Sequence, residues 1–155
     1  MRVSIETLIE APADTVWSHL HSSALLEHVA WPLQRFVPID PPELPAIWTE
    51  GDYKVGLRAF GFIPLGYQRI GIRILKAEGW PRILRDDGGG QLVRKWDHRI
   101  DIEPAGRAAT RYRDTVDIDA GLLTPAIWLY AQMFYRHRQR RWRALAKADF
   151  KPLGT

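Results

Sequence analysis

The sequence predicts an α+β fold in which an antiparallel β-sheet covers one long closing helix, and three observations lead there. A strand pattern and two short helical patterns open the chain, two hairpin patterns fill its middle, and a long amphipathic helix ends it. Each hairpin separates apolar from charged residues by strict alternation, so the sheet has one face that must be covered. The closing helix carries an apolar stripe, and a stripe and a sheet face can bury one another.

In Arg2–Glu10, Val3, Ile5, Thr7 and Ile9 fall on one side of a strand, and Arg2, Ser4, Glu6 and Leu8 on the other. Pro12 suits the first turn of a helix, where its missing N–H costs nothing, and Val16, Trp17 and Leu20 then recur at helical spacing. A second short helix is expected around Ser22–His28, with Ser22 or Ser23 as its cap. A strand precedes Pro38. The proline-rich stretch Pro38–Pro45 suits neither a helix interior nor a central strand, and reads as a surface loop beside a pocket mouth or as a plain connector.

Between Tyr53 and Ile74 the turn material is Gly61–Gly66, which sets Ala59 opposite Gln68, Leu57 opposite Ile70, Val55 opposite Ile72 and Tyr53 opposite Ile74. Lys54, Arg58, Arg69 and Arg73 then share the other face. A hairpin from Trp96 to Ile118, centred on Gly106, pairs Ile102 with Thr110, Ile100 with Tyr112, His98 with Asp114 and Trp96 with Val116. Its opposite face carries Lys95, Asp97, Arg99, Asp101, Arg111, Arg113, Asp117 and Asp119, a solvated set of both signs. A shorter strand near Arg82–Arg85 leads into Asp86-Asp87-Gly88-Gly89-Gly90, read as a turn. That run lacks the lysine and hydroxyl residue of a phosphate-cradling loop.

The closing helix is expected from about Thr124 to Ala148, with Pro125 in its first turn. Ile127, Ala131, Phe134, Arg138, Trp142 and Leu145 lie on one stripe, flanked by Trp128 and Tyr135, while Arg136, Gln139, Arg140 and Arg143 lie opposite. The order of elements is therefore β-α-α-β-β-β-β-β-β-α.

Composition bounds the function. The 155 residues suit one domain, 1–155, and 26% charged with 46% hydrophobic residues is ordinary for a globular chain. Cysteine is absent, which excludes disulfides, thiolate metal sites and a cysteine nucleophile. The alternating start, Met1–Glu6, is not a signal peptide, so a cytoplasmic location is expected. No apolar run approaches the roughly 20 residues of a membrane span. A net charge of +4 permits anionic partners without requiring them.

The sequence resembles the START-like, or SRPBCC, helix-grip superfamily of ligand-binding domains. The likeness runs through Arg2–Glu10 followed by Ala11-Pro12-Ala13-Asp14-Thr15-Val16-Trp17, then Trp96-Asp97-His98-Arg99, Tyr112-Arg113-Asp114-Thr115-Val116 and Phe134-Tyr135-Arg136-His137. It implies a curved antiparallel sheet wrapped around the C-terminal helix, two short helices after the first strand, and an apolar cavity between sheet and helix. Members include lipid and polyketide binders, aromatic cyclases and dehydratases, coenzyme Q-binding proteins and co-chaperones, and fold does not choose among them.

Three polar residues stand on faces otherwise assigned to the interior: His98, Asp114 and Arg138. Burying any one alone is costly, whereas together they can satisfy one another, with Asp114 ionised against Arg138. The trio fits a structural clamp, the polar end of a ligand pocket, or a proton-transfer site in which Asp114 orients His98. The aromatic residues Trp17, Tyr53, Trp96, Tyr112, Phe134, Tyr135 and Trp142 complete the expected ligand contacts. The run Arg136–Arg143 has no accompanying nucleic-acid motif and reads as a solvated basic face. His19 and His21 point to different sides of a helix, and no metal or other cofactor is expected. The reading that follows is a binder of a small hydrophobic molecule of lipid, polyketide or aromatic type. Its rivals are a cyclase or dehydratase using His98, Asp114 and Arg138, and an interaction module with a vestigial pocket.

Overall fold

The computed structural model describes residues 1–153. Its order of elements is β1 (Arg2–Ile9), α1 (Ala13–Leu20), α2 (Ser23–Ala30), β2 (Gln34–Asp40), β3 (Gly51–Ala59), β4 (Ile63–Lys76), β5 (Arg82–Gly90), β6 (Lys95–Pro104), β7 (Thr110–Asp119) and α3 (Thr124–Lys147). The seven strands form one antiparallel sheet in the order β1-β7-β6-β5-β4-β3-β2, and α3 lies across its apolar face. This is the helix-grip arrangement. Pro38 belongs to β2, opposite Val55, so the strand extends into the expected loop. It can do so because β2 is an edge strand, where a missing N–H breaks no second ladder.

Both hairpins depart from the expected register, by two residues in β6–β7 and by four over Gly51–Gly56 of β3. In β6–β7, Ile102 pairs with Tyr112, Ile100 with Asp114, His98 with Val116 and Trp96 with Ile118. The loop is longer than a turn about Gly106: Pro104 still pairs with Thr110, and the Ala105 N–H donates to the Ala109 carbonyl. In β3–β4, Tyr53 pairs with Ile70 and Val55 with Gln68. The chain turns early, at Phe60–Phe62, and the residues beyond are taken into a longer β4, with a register irregularity between Gly56 and Arg58. An even displacement leaves every side chain on its original face, which is why the apolar and charged faces survive.

The glycine run is a correction of a different kind. Gly88, Gly89 and Gly90 continue β5 rather than turning, and the turn falls after them. A Cβ at Gly88 would strike the Arg69 carbonyl oxygen, and one at Gly90 the Tyr67 carbonyl oxygen. Glycine is needed there because the β4 backbone passes too close for a side chain.

Where the C-terminal half of α3 meets the sheet, the interior is solid. Trp142 is completely buried, its ring 5.4 Å from that of Tyr112 and 6.3 Å from that of Phe150. Burying an aromatic or aliphatic side chain of this size contributes about 2–3 kcal/mol. The other half of α3 does not reach the sheet so closely, and a cavity of about 380 Å³ opens there.

Candidate functional site

The period of each strand decides what faces this cavity. On β6, Trp96, His98 and Ile100 point inward; on β5, Leu84 and Asp86; on α3, Phe134, Tyr135 and Arg138. Leu25, Phe36, Ile70 and Ile72 extend the apolar lining, and Phe60, Tyr67, Leu92 and Met133 form an exposed apolar rim at the mouth.

Of the ten expected ligand contacts, Trp96, His98, Phe134, Tyr135 and Arg138 line the cavity. Trp17, Tyr53, Tyr112, Asp114 and Trp142 do not. Tyr53 is tied up elsewhere, its hydroxyl donating to the Thr49 carbonyl at 3.0 Å and its ring set against Trp48. Trp17 packs beside His21 and Arg82. Tyr112 and Trp142 belong to the solid half of the interior.

Asp114 lies behind the wall, wholly buried and surrounded by donors. His98 Nε2 stands 2.7 Å from Oδ1, the Tyr112 hydroxyl donates to the same oxygen at 3.2 Å, and Gln139 Nε2 donates to Oδ2 at 3.0 Å. Gln139 also donates to the Ile5 carbonyl at 2.8 Å, which joins α3 to the first strand. The shifted register makes His98 and Asp114 diagonal neighbours rather than direct partners, and the imidazole spans the difference. Burial alone would raise the Asp114 carboxyl; the hydrogen bond from His98, the nearby Arg138 charge and Gln139 outweigh it and hold it below the usual range. Burial is also the main influence on His98 and lowers its pKa, so the imidazole is neutral with Nε2–H facing the carboxylate.

The expected Asp114–Arg138 ion pair is not formed. Among the described residues no carboxylate oxygen comes within 4.0 Å of the Arg138 guanidinium, and its Nε is buried without a hydrogen-bond partner. Gln139, assigned to the outer side of α3, takes the place beside Asp114 instead. It lies four residues after Tyr135 and three before Trp142, both of them inward. That spacing was the signal in the sequence.

Asp86 is a cavity residue that sequence reasoning missed. Reading the glycine run as a turn removed Asp86 from the strand, although alternation from Leu84 puts it on the inner face. Its Oδ1 accepts the Gly71 N–H at 2.7 Å. Desolvation pushes its carboxyl up to about 7, against the lowering effects of the Gly71 hydrogen bond and of the Arg69 and Arg138 charges. No group of three or more histidine or acidic side chains able to hold a metal ion is present among the described residues. None of their helices is long and apolar enough to cross a membrane.

Residues 7–146 match the family model described as "Domain of unknown function (DUF8410)". No curated protein matches the sequence. Several solved structures share the fold. The Zhui aromatase/cyclase of a Streptomyces strain superposes with a TM-score of 0.70 at 12% identity, covering 99% of this chain and 98% of that one. A START superfamily protein from Mycobacterium smegmatis gives 0.61 at 18% identity, covering 95% and 97%. Truncated norcoclaurine synthase from Thalictrum flavum gives 0.63 at 12% identity, covering 94% and 92%. The START-like, SRPBCC-type fold of this chain is thereby shown.

Proposed function

The chain belongs to the DUF8410 family, and we propose that it binds a small, largely apolar molecule of lipid, polyketide or aromatic type in the cavity between the sheet and α3. One observation carries this reading: about 380 Å³ of space lined by aliphatic and aromatic side chains, with His98, Asp86 and Arg138 set into the wall. A pocket of mainly apolar lining with a few convergent polar groups is the usual form of a small-molecule site. A cytoplasmic site of action fits a chain without cysteine.

A second reading is an enzyme of cyclase or dehydratase type. It is favoured by the His98–Asp114 pair, in which a buried carboxylate orients an imidazole that also reaches the cavity wall. The interaction-module reading has less support, because it needs a filled pocket.

Native mass spectrometry of protein purified from its own organism, followed by thermal-shift titration with apolar and aromatic probes, tests the binding reading. Saturable binding that raises the unfolding midpoint is expected, with altered affinity in Phe134→Ala. Absence of binding across a broad panel would remove the reading.

A further inference from the structure

Arg138 is 5% exposed, lines the cavity and, among the described residues, lacks a counter-charge in contact. Its Nε has no partner. The rings of Phe134 and Tyr135, with centroids 5.9 and 5.2 Å from Cζ, return part of the cost of desolvating a guanidinium, and the Tyr135 hydroxyl also interacts with it, but these groups are neutral and leave its charge unbalanced. Asp114 offsets the charge from behind the wall while its own oxygens are occupied by His98, Tyr112 and Gln139. Asp86, the one carboxylate on the cavity wall among the described residues, has Oδ1 engaged by the Gly71 N–H and forms no ion pair with the guanidinium.

The group that would complete this arrangement is a planar anion. A guanidinium offers parallel N–H donors that match two carboxylate oxygens, whereas a neutral carbonyl uses fewer of them and leaves the charge unbalanced. We propose that the cavity is built for a small apolar acid, whose carboxylate is bound by Arg138 while its hydrocarbon or aromatic body fills the apolar lining. This rests on the apolar-pocket reading and narrows it to one ligand class.

Matched probes separate the two ideas: decanoate against decanol, and 2-naphthoate against 2-naphthylmethanol, titrated calorimetrically into the full-length protein. The acid of each pair is expected to bind at least about tenfold more tightly than the alcohol. Arg138→Met is expected to abolish that preference while leaving the alcohols within about threefold of their original affinity, and Arg138→Lys to retain part of it. Independently of any variant, carboxyl-labelled decanoate bound to the wild-type protein is expected to titrate, by carbon NMR, below its free value. Alcohols binding as well as acids, or an acid preference that survives in Arg138→Met, would overturn the anion subsite and leave the apolar pocket standing. Binding of neither member of either pair would overturn both.

Discussion

Arg138 and Gln139 are neighbours on α3, and the structure uses them in opposite ways. Gln139 is 3% exposed and both donors of its Nε2 are engaged, joining Asp114 to the Ile5 carbonyl and closing a shell that His98 and Tyr112 complete. Arg138 is about as deeply buried and has an Nε without a partner. A satisfied polar cluster ties helix to sheet and needs nothing from outside. An unsatisfied cation beside a cavity leaves hydrogen-bonding capacity for a guest. Burial by itself therefore does not separate a structural polar residue from a ligand-binding one; the account of donors and acceptors does.

The sharpest break in this comparison is Asp114→Ala. It removes the acceptor for three buried donors at once, and a loss of about 3–5 kcal/mol is expected in urea unfolding. A loss under about 1 kcal/mol would mean that the cluster contributes no more than the surface does.

The next effect depends on pH and belongs to the cavity side. The Asp86 carboxyl is raised to about 7 in the folded protein, against an unfolded value of about 3.9. Between these values the folded state holds a proton that the unfolded state has released, so stability falls as pH rises through this window and the penalty is complete above about 7. Asp86→Asn keeps an acceptor for the Gly71 N–H and cannot ionise. It is expected to remove that slope and to gain on the order of 1–3 kcal/mol over wild type at pH 8, less than the full difference because Asp86 keeps some solvent contact. Parallel stability profiles for the two proteins between pH 4 and 8 would refute this.

Gln139→Ala is expected to cost about 1–2 kcal/mol, since it leaves one Asp114 oxygen and the Ile5 carbonyl short of a donor. Its neighbour is expected to behave otherwise: Arg138→Met should leave stability unchanged or raise it by up to about 1 kcal/mol, because it replaces a buried charge that no ion pair contacts, only partly offset by Asp114 at a distance, with an apolar side chain. A loss of about 3 kcal/mol there would make Arg138 part of the clamp and erase the distinction. Asp101→Asn sets the surface baseline. It breaks the Arg99 pair on the outer face and should change stability by less than about 1 kcal/mol, read in the same urea series.

What the chain disclosed depended on the range of the interaction. The outer faces were legible because alternation is local, and the observed pairs Arg85–Asp97, Arg99–Asp101 and Arg111–Glu103 involve the charged positions or their cross-strand neighbours. The inward placement of His98, Asp114 and Arg138 was legible for the same reason. Their partners were not, since choosing between Arg138 and Gln139 as the donor to Asp114 needs the rotation of α3 to within a fraction of a turn. The role of Asp86 was hidden by the glycines after it, whose requirement comes from the β4 backbone and not from a turn.

The sequence by itself determined the order of elements, the faces of the sheet and the apolar stripe of the closing helix, because each follows from residue spacing along the chain. Only the tertiary structure decided the hairpin registers, the gap between one half of α3 and the sheet, and the lack, among the described residues, of an ion-pair partner for Arg138. Those depend on loop closure and on how far apart two packed surfaces come to rest, which residue spacing within a single element does not specify.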